Sequence, residues 1–227
     1  MEKFSWSDPP NPTAFPIARP GYPLIFAGAF ITVIFALLGM ALPALISLIT
    51  TAGICGFFRD PDRVTPMAPG AIIAPADGKV IVVQTNKENP YIPGPCLKIS
   101  IFMTVFNVHV NRIPFEGDVA EVKYHPGKFY SADKDKATGS NEQNAVIVKT
   151  KTGRIYAVVQ VAGFVARRII CTLQQGQTVQ RGQRFGMICF GSRLDIYLPP
   201  DTKPNVTKGQ KTRAGTTILG YLHETEK

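Results

Sequence analysis

Metal-ligand and disulfide patterns are missing from this 227-residue chain. Its four cysteines, Cys55, Cys96, Cys171 and Cys189, form no CxxC pair and have no histidine at ligand spacing. That pattern argues against a zinc site and for reduced, mostly buried thiols in a reducing compartment. Histidine is scarce as well: His109, His125 and His223 are the whole supply, so imidazole chemistry has three choices. No GxSxG motif occurs, which removes the usual mark of an α/β-hydrolase nucleophile. Acidic residues number 16 against 25 Lys and Arg, for a formal charge of +9. Such an excess favours anionic partners, whether nucleic acid, an acidic membrane surface or acidic substrates. The basic residues are scattered among turns, so nucleic acid fits worst.

The longest absence is of charge. From Pro20 to Phe58 no charged residue occurs, in PGYPLIFAGAFITVIFALLGMALPALISLITTAGICGFF, far more than the roughly 20 apolar residues of one membrane span. Gly39 and Pro43 divide this run into two helical pieces, each marginal for a full crossing. A monotopic hairpin and two complete spans both remain open. Arg19 precedes the run, and Arg59 and Arg63 follow it. Basic flanks stay in the cytoplasm, so both ends and everything downstream are expected there. The run starts too late and is too long for a cleaved signal peptide. The expected division is a polar segment over 1–19, membrane-anchoring helices over 20–58 and one catalytic or binding domain over 59–227.

From Ala71 onward the texture is that of short strands rich in valine and isoleucine, such as AIIAPADGKVIVVQ, AVIVKT and RIYAVVQVAG, punctuated by Asp-Gly, Pro-Gly and Gly-Gln turns. The expected fold class is mainly β (β-rich α+β), a compact sandwich or partial barrel preceded by the hydrophobic helical hairpin. VQRGQRFG at Val179 to Gly186 recurs as VTKGQKTRAG at Val206 to Gly215, a hairpin texture like that of lipoyl domains, and ADGKV is a candidate start for the same unit.

Three residues are candidates for chemistry. Asp77, in APADGKV, is either a hairpin-turn residue or an acid. His109, in MTVFNVHVNRIP, is placed in a strand with Val105 and Asn107 on its face, flanked by Asn107 and Asn111. Ser192, in FGSRLD, sits beside Gly191 inside an apolar run, where the pair is either a bulge or a reactive site. His125 reads as a loop residue before a Pro-Gly turn, and His223 as part of a solvated tail. Folding could join Asp77, His109 and Ser192 as acid, base and nucleophile. A membrane-anchored serine hydrolase and a non-catalytic lipoyl-like binding module stand as alternatives.

Seven strings in order, FFRDPDRVTP, PADGKV, FNVHVNRIP, YHPGKF, NEQNAVIV, VAGFVARRI and RFGMICFGSRLDIYLP, closely resemble the short form of phosphatidylserine decarboxylase. The resemblance implies a proenzyme that cuts itself between Gly191 and Ser192. The products would be a large subunit of residues 1–191 and a small subunit of 192–227. Ser192 would become a covalent pyruvoyl group, the only cofactor, with no metal. That group would form a Schiff base with phosphatidylserine and release CO2 and phosphatidylethanolamine. By the same resemblance Asp77 and His109 serve processing and decarboxylation. Arg112 stands where longer bacterial members carry a second histidine, which keeps His125 in view. The implied partner is a phosphatidylserine-containing membrane and the implied location the cytoplasmic side of the cell (inner) membrane; homo-oligomerisation stays open.

Overall fold

The computed structural model describes residues 4–5, 16–128, 140–163, 168–189 and 191–222. The chain divides into two compact units, Asn11–Asp62 and Arg63–Lys227, the second including Met1–Pro10.

The smaller unit is a helical hairpin of α1 (Tyr22–Leu37) and α2 (Ala41–Phe57). Its base is tied by Ala18 N–H to the Phe58 carbonyl and Asp60 N–H to the Pro16 carbonyl, both at 2.8 Å. The break falls at Leu38–Met40, where Gly39 takes a φ of 68°, a left-handed conformation that glycine adopts without a Cβ clash. Pro43, expected as a second breaker, is the third residue of α2. In a first turn the N–H that proline lacks has no intrahelical acceptor, so the helix runs through it.

The larger unit is built of strands. A short β1 (Phe4–Ser5) pairs with β2 (Thr65–Pro66). There follow β3 (Ala71–Ile73), β4 (Gly78–Asn86), β5 (Cys96–Met103), β6 (Val110–Arg112), β7 (Gly117–His125), β8 (Gln143–Lys149) and β9 (Ile155–Ala162). The chain ends with β10 (Arg168–Cys171), β11 (Thr178–Val179), β12 (Arg184–Cys189), β13 (Ser192–Leu198), β14 (Lys203–Pro204), β15 (Lys211–Thr212) and β16 (Ile218–Tyr221). Eight strands make one curled half-barrel sheet in the order β11-β7-β8-β9-β13-β5-β4-β15. The remaining sheets are β10-β12-β6 and β14-β16-β3. The molecule is therefore mainly β with an N-terminal helical hairpin, as the sequence implied.

Strand β13 lies between β9 and β5 and is buried over its whole length, with core side chains packed on both faces. Ser192, Leu194 and Ile196 share one face with their partners Ala162, Met103 and Ile101, because alternate residues of a strand face the same way. The other face carries Arg193, Asp195 and Tyr197. There Arg193 Nη2 donates to Asp195 Oδ2 at 3.0 Å, and Lys98 Nζ reaches the same oxygen at 3.2 Å. Lys98 also lies 5.4 Å over the Tyr197 ring. Burial, with the Asp195 charge adding, pushes Tyr91 beside them up to about 12. Asp195→Asn is expected to cost about 3–5 kcal/mol, because it leaves two buried cations without their counter-ion. The check is the urea midpoint of the full chain by tryptophan-independent circular dichroism.

The repeat seen in sequence is a real local structure. Gly182 and Gly209 have φ of 82° and 96°, and in each turn the following Gln N–H bonds back three residues, to Gln180 and Thr207. The Gln side chain then accepts the first residue's N–H: Gln180 to Gln183 at 2.9 Å, Thr207 to Gln210 at 3.2 Å. A third copy, Gln174 to Gln177 around Gly176, closes in the same way. Glycine is required at the left-handed position of such type II turns. ADGKV does not start a fourth: β3 pairs with β16 and β4 pairs with β5 and β15, so no hairpin joins them. Gly78 is there because a Cβ would stand 2.2 Å from the Phe102 carbonyl oxygen.

Candidate active site

Ser192 opens β13 with its side chain fully buried, and among the described residues its Oγ has no hydrogen-bond partner. Its register partners are Met103 on β5 and Ala162 on β9. Gly191, just before it, does not have a positive φ, and a Cβ built there meets no described atom within 4 Å. Glycine is thus not demanded at 191 by a left-handed backbone; the chain bends there, just before β13. Phe190 lies outside the described residues, as do Phe164–Arg167 of the VAGFVARRI string and His223.

Asp77 is nearly buried, and both its oxygens are engaged. Oδ2 takes Arg63 Nη2 at 3.0 Å and Oδ1 takes the Ala214 N–H at 2.7 Å. Asp77 lies in a bend that joins no hairpin, since β3 and β4 do not pair, and its bonds reach across the fold. Lys79, Phe102 and Arg193 occupy one row across β4, β5 and β13. Asp77 and Ser192 precede two of them and emerge at the same end of the sheet, two strand spacings or about 10 Å apart. Arg63 was legible in sequence only as a basic flank; its pairing with Asp77 spans a loop that no local pattern encodes.

His109 is not in a strand. Residues 104–107 form a turn that Asn107 Oδ1 closes by accepting both Thr104 N–H and Thr104 Oγ1–H at 2.8 Å. Phe106 is left exposed at the tip. The alternation through FNVHV misled because an Asn side chain outcompeted the ladder for those backbone groups. His109 follows that turn and is fully buried immediately before β6. Asn111, two residues on, donates to Met103 Sδ at 3.8 Å and accepts Gln160 Nε2–H at 2.9 Å. Gln160 in turn accepts from Asn144 Nδ2 at 3.2 Å. Arg112 N–H bonds the Pro75 carbonyl at 2.9 Å, and its Nη1 bonds the Gly182 carbonyl at 2.9 Å. The start of β6 is thus fastened both to the Asp77 loop and to the sheet row of Ser192.

His125 is the last residue of β7, not a loop residue, and is exposed. Its row runs through Gln143 and Val161 to Arg193, which puts it on the sheet face opposite Ser192. Along the sheet it is three strand spacings, about 14 Å, from β13. The fold gathers Ser192, Asp77 and the His109 segment at one end and leaves His125 outside. Gln160 and Asn144 were missed by sequence reasoning. Nothing in a strand of valines marks a polar residue as buried beside a site.

The thiols of Cys96, Cys171 and Cys189 are raised above their usual range, chiefly by burial, and all four cysteines are free. Among the described residues no group of three His, Cys, Asp or Glu is placed to hold a metal.

Residues 51–220 match the family model described as phosphatidylserine decarboxylase. The chain is 49% identical over 207 residues to a phosphatidylserine decarboxylase proenzyme of Desulfotalea psychrophila, covering 91% of this chain and 97% of that one. Proenzymes of the same name from Syntrophus aciditrophicus and Cupriavidus taiwanensis are 46% and 49% identical, with 90% and 91% of this chain and 96% and 95% of theirs covered. The match runs through the strand that carries Ser192 and through the segments that carry Asp77 and His109. The chain belongs to the phosphatidylserine decarboxylase family, and with it to the carboxy-lyases.

Proposed function

We propose that the chain converts phosphatidylserine to phosphatidylethanolamine and CO2 by means of a pyruvoyl group that it makes from Ser192. The observation that carries this reading is the Ser192 hydroxyl, fully buried and without a hydrogen-bond partner among the described residues. An orphaned buried hydroxyl costs about 1–3 kcal/mol; Ser100 and Thr202 carry others, and Ser192 is set apart from them by the glycine carbonyl directly before it. The residues fit the group. Gly191 sets its carbonyl carbon directly before Ser192 and carries no side chain to shield it.

Maturation follows from the bonds. Ser192 Oγ, losing its proton to a base, attacks the Gly191 carbonyl carbon, and the Gly191–Ser192 C–N bond breaks as the acyl group moves to oxygen. β-Elimination expels the Gly191 carboxylate and leaves a dehydroalanine at 192, which water converts to a ketone with release of ammonia. When formed, the pyruvoyl group supplies an electrophile for the substrate amine and a sink for the electron pair released with CO2. Asp77 is assigned to the processing step, where its ties to Arg63 and Ala214 fix the loop beside the serine. His109 is assigned to proton delivery during decarboxylation. Gln160 and Asn111 hold that segment against the sheet.

The small chain would stay bound after the cut without a covalent link. Its strand β13 lies between β9 and β5, β15 pairs with β4, and β16 pairs with β3. The uncharged hairpin and its basic flanks support a catalytic unit on the cytoplasmic face of the cell membrane.

Intact-mass analysis of the purified protein tests the reading. The expected result is a small chain of 36 of the 227 residues, about 3.9 kDa of 24.8 kDa, blocked to Edman degradation because a pyruvoyl end has no amine. A single active chain with an ordinary serine at 192 would overturn it.

A further inference from the structure

We infer that the α1–α2 hairpin enters the bilayer without crossing it, with its tip held in the hydrocarbon. The inference rests on the membrane location proposed above and concerns depth, which that location leaves open.

The tip has nothing to offer water. Leu37, Leu38 and Leu42 are 79%, 66% and 68% exposed, and Gly39, Met40 and Ala41 complete the turn. A hairpin crossing the bilayer would have to set this turn among headgroups and water on the far side, where large exposed leucines are unfavourable. No residue of α1 is buried, although the helix is apolar on all sides. Such a helix belongs in a protein core or in lipid.

Most backbone N–H groups of the turn bond within it, as non-helical chain in lipid requires; among the described residues Leu42 N–H is the exception. Leu38 N–H bonds the Ile34 carbonyl at 3.0 Å, Gly39 N–H bonds Ala36 at 3.1 Å and Met40 N–H bonds Phe35 at 2.9 Å. The last two are the paired bonds of a Schellman closure around the left-handed Gly39. Ala41 N–H bonds Gly39 at 3.1 Å and Ala44 N–H bonds Met40 at 3.0 Å, while Pro43 has no N–H to satisfy. The hydroxyls inside the hairpin are satisfied too. Thr32 donates to the Gly28 carbonyl at 2.8 Å and Ser47 to the same oxygen at 3.4 Å. Thr50 donates to Ile46 at 2.9 Å and Thr51 to Ser47 at 2.8 Å.

Length does not decide the depth. With the 3-10 turn Arg19–Gly21 before it, the first helix runs 19 residues and is long and apolar enough to cross, while the seventeen residues of α2 give about 26 Å against about 30 Å of hydrocarbon. The tip and its turn carry the inference. Charge sits only at the base, on Arg19, Arg59, Asp60 and Asp62.

The test uses the full chain with Leu38→Cys, its native cysteines changed to alanine, carrying a nitroxide at 38 in phosphatidylcholine–phosphatidylglycerol vesicles. Flotation with the vesicles is scored first. Relaxation by oxygen at least several-fold stronger than by a water-soluble nickel chelate, present on both sides of the bilayer, is the expected result. A floating protein whose label is relaxed by the nickel chelate would overturn the inference alone. A protein that does not float would overturn the membrane location and the inference together. Lys151→Cys, in an exposed turn of the larger unit, serves as the water-exposed control.

Discussion

Ser192→Ala is expected to yield one uncut chain of 24.8 kDa with no decarboxylase activity above background. Alanine removes the only atom at 192 that can attack the Gly191 carbonyl, and with it both the acyl shift and the oxygen lost in the elimination. The substitution should leave the fold intact, since Ser192 Oγ contributes no hydrogen bond among the described residues and a methyl group suits the face it shares with Leu194 and Ala162. Stability is expected to be unchanged or slightly higher, because a buried unpartnered hydroxyl is removed. Ser192→Cys should process slowly, as a thiol can still make the shift. Gel mobility and intact mass report the cut, and release of labelled CO2 reports the turnover. Borohydride with phosphatidylserine should mark the small chain of the parent protein and nothing in Ser192→Ala. An active, uncut alanine variant would remove Ser192 from the mechanism.

The second large effect divides the two steps between Asp77 and His109. Asp77→Asn is expected to slow self-cleavage by about 10²–10⁴-fold, the usual range for loss of a positioned acid or base, and to leave mostly uncut chain. Asparagine can keep the bond from Ala214 N–H but loses the charge opposite Arg63, so the variant isolates the charge from the shape. His109→Ala is expected to lower turnover over the same range. Cleavage in that variant should be measured separately, by intact mass, before activity is normalised to cut enzyme. His125→Ala should change neither, as its row lies on the opposite face of the sheet. Normal cleavage and turnover in both Asp77→Asn and His109→Ala would return the two residues to structural roles. The hairpin gives a further expectation: removing residues 20–58 should move the protein from the membrane pellet to the soluble fraction. Continued sedimentation of that truncation would point to another anchor.

Much of this was legible without coordinates, and the reasons differ by feature. The helical hairpin shows in sequence because lipid-facing helices exclude charge along their whole length, so a one-dimensional count finds them. The β-rich unit shows because valine and isoleucine runs end in glycine turns, and the x-x-G-Q turns are closed by residues three apart. All of these are local. The Gly-Ser pair was conspicuous for the converse reason, as it disagrees with the strand around it. Where the reading of the chain went astray, side chains had taken over backbone bonds. Asn107 turned the expected strand at FNVHV into a loop, and the close Phe102 carbonyl, not a hairpin, demanded Gly78.

What tertiary structure alone decided is which residues meet. Sequence could name Asp77, His109 and Ser192, but not that Asp77 binds Arg63 and the Ala214 amide, that His125 falls on the far face, or that Gln160 and Asn111 brace the His109 segment. Strand order β9-β13-β5-β4 brings together residues more than a hundred positions apart, and β pairing carries no local mark of its partner. Composition and spacing determined that this chain has a lipid-compatible hairpin, a β-rich body and a reactive-looking serine. The register of the sheet determined that the serine is buried in the middle of it, because a central strand can only be recognised from its two neighbours.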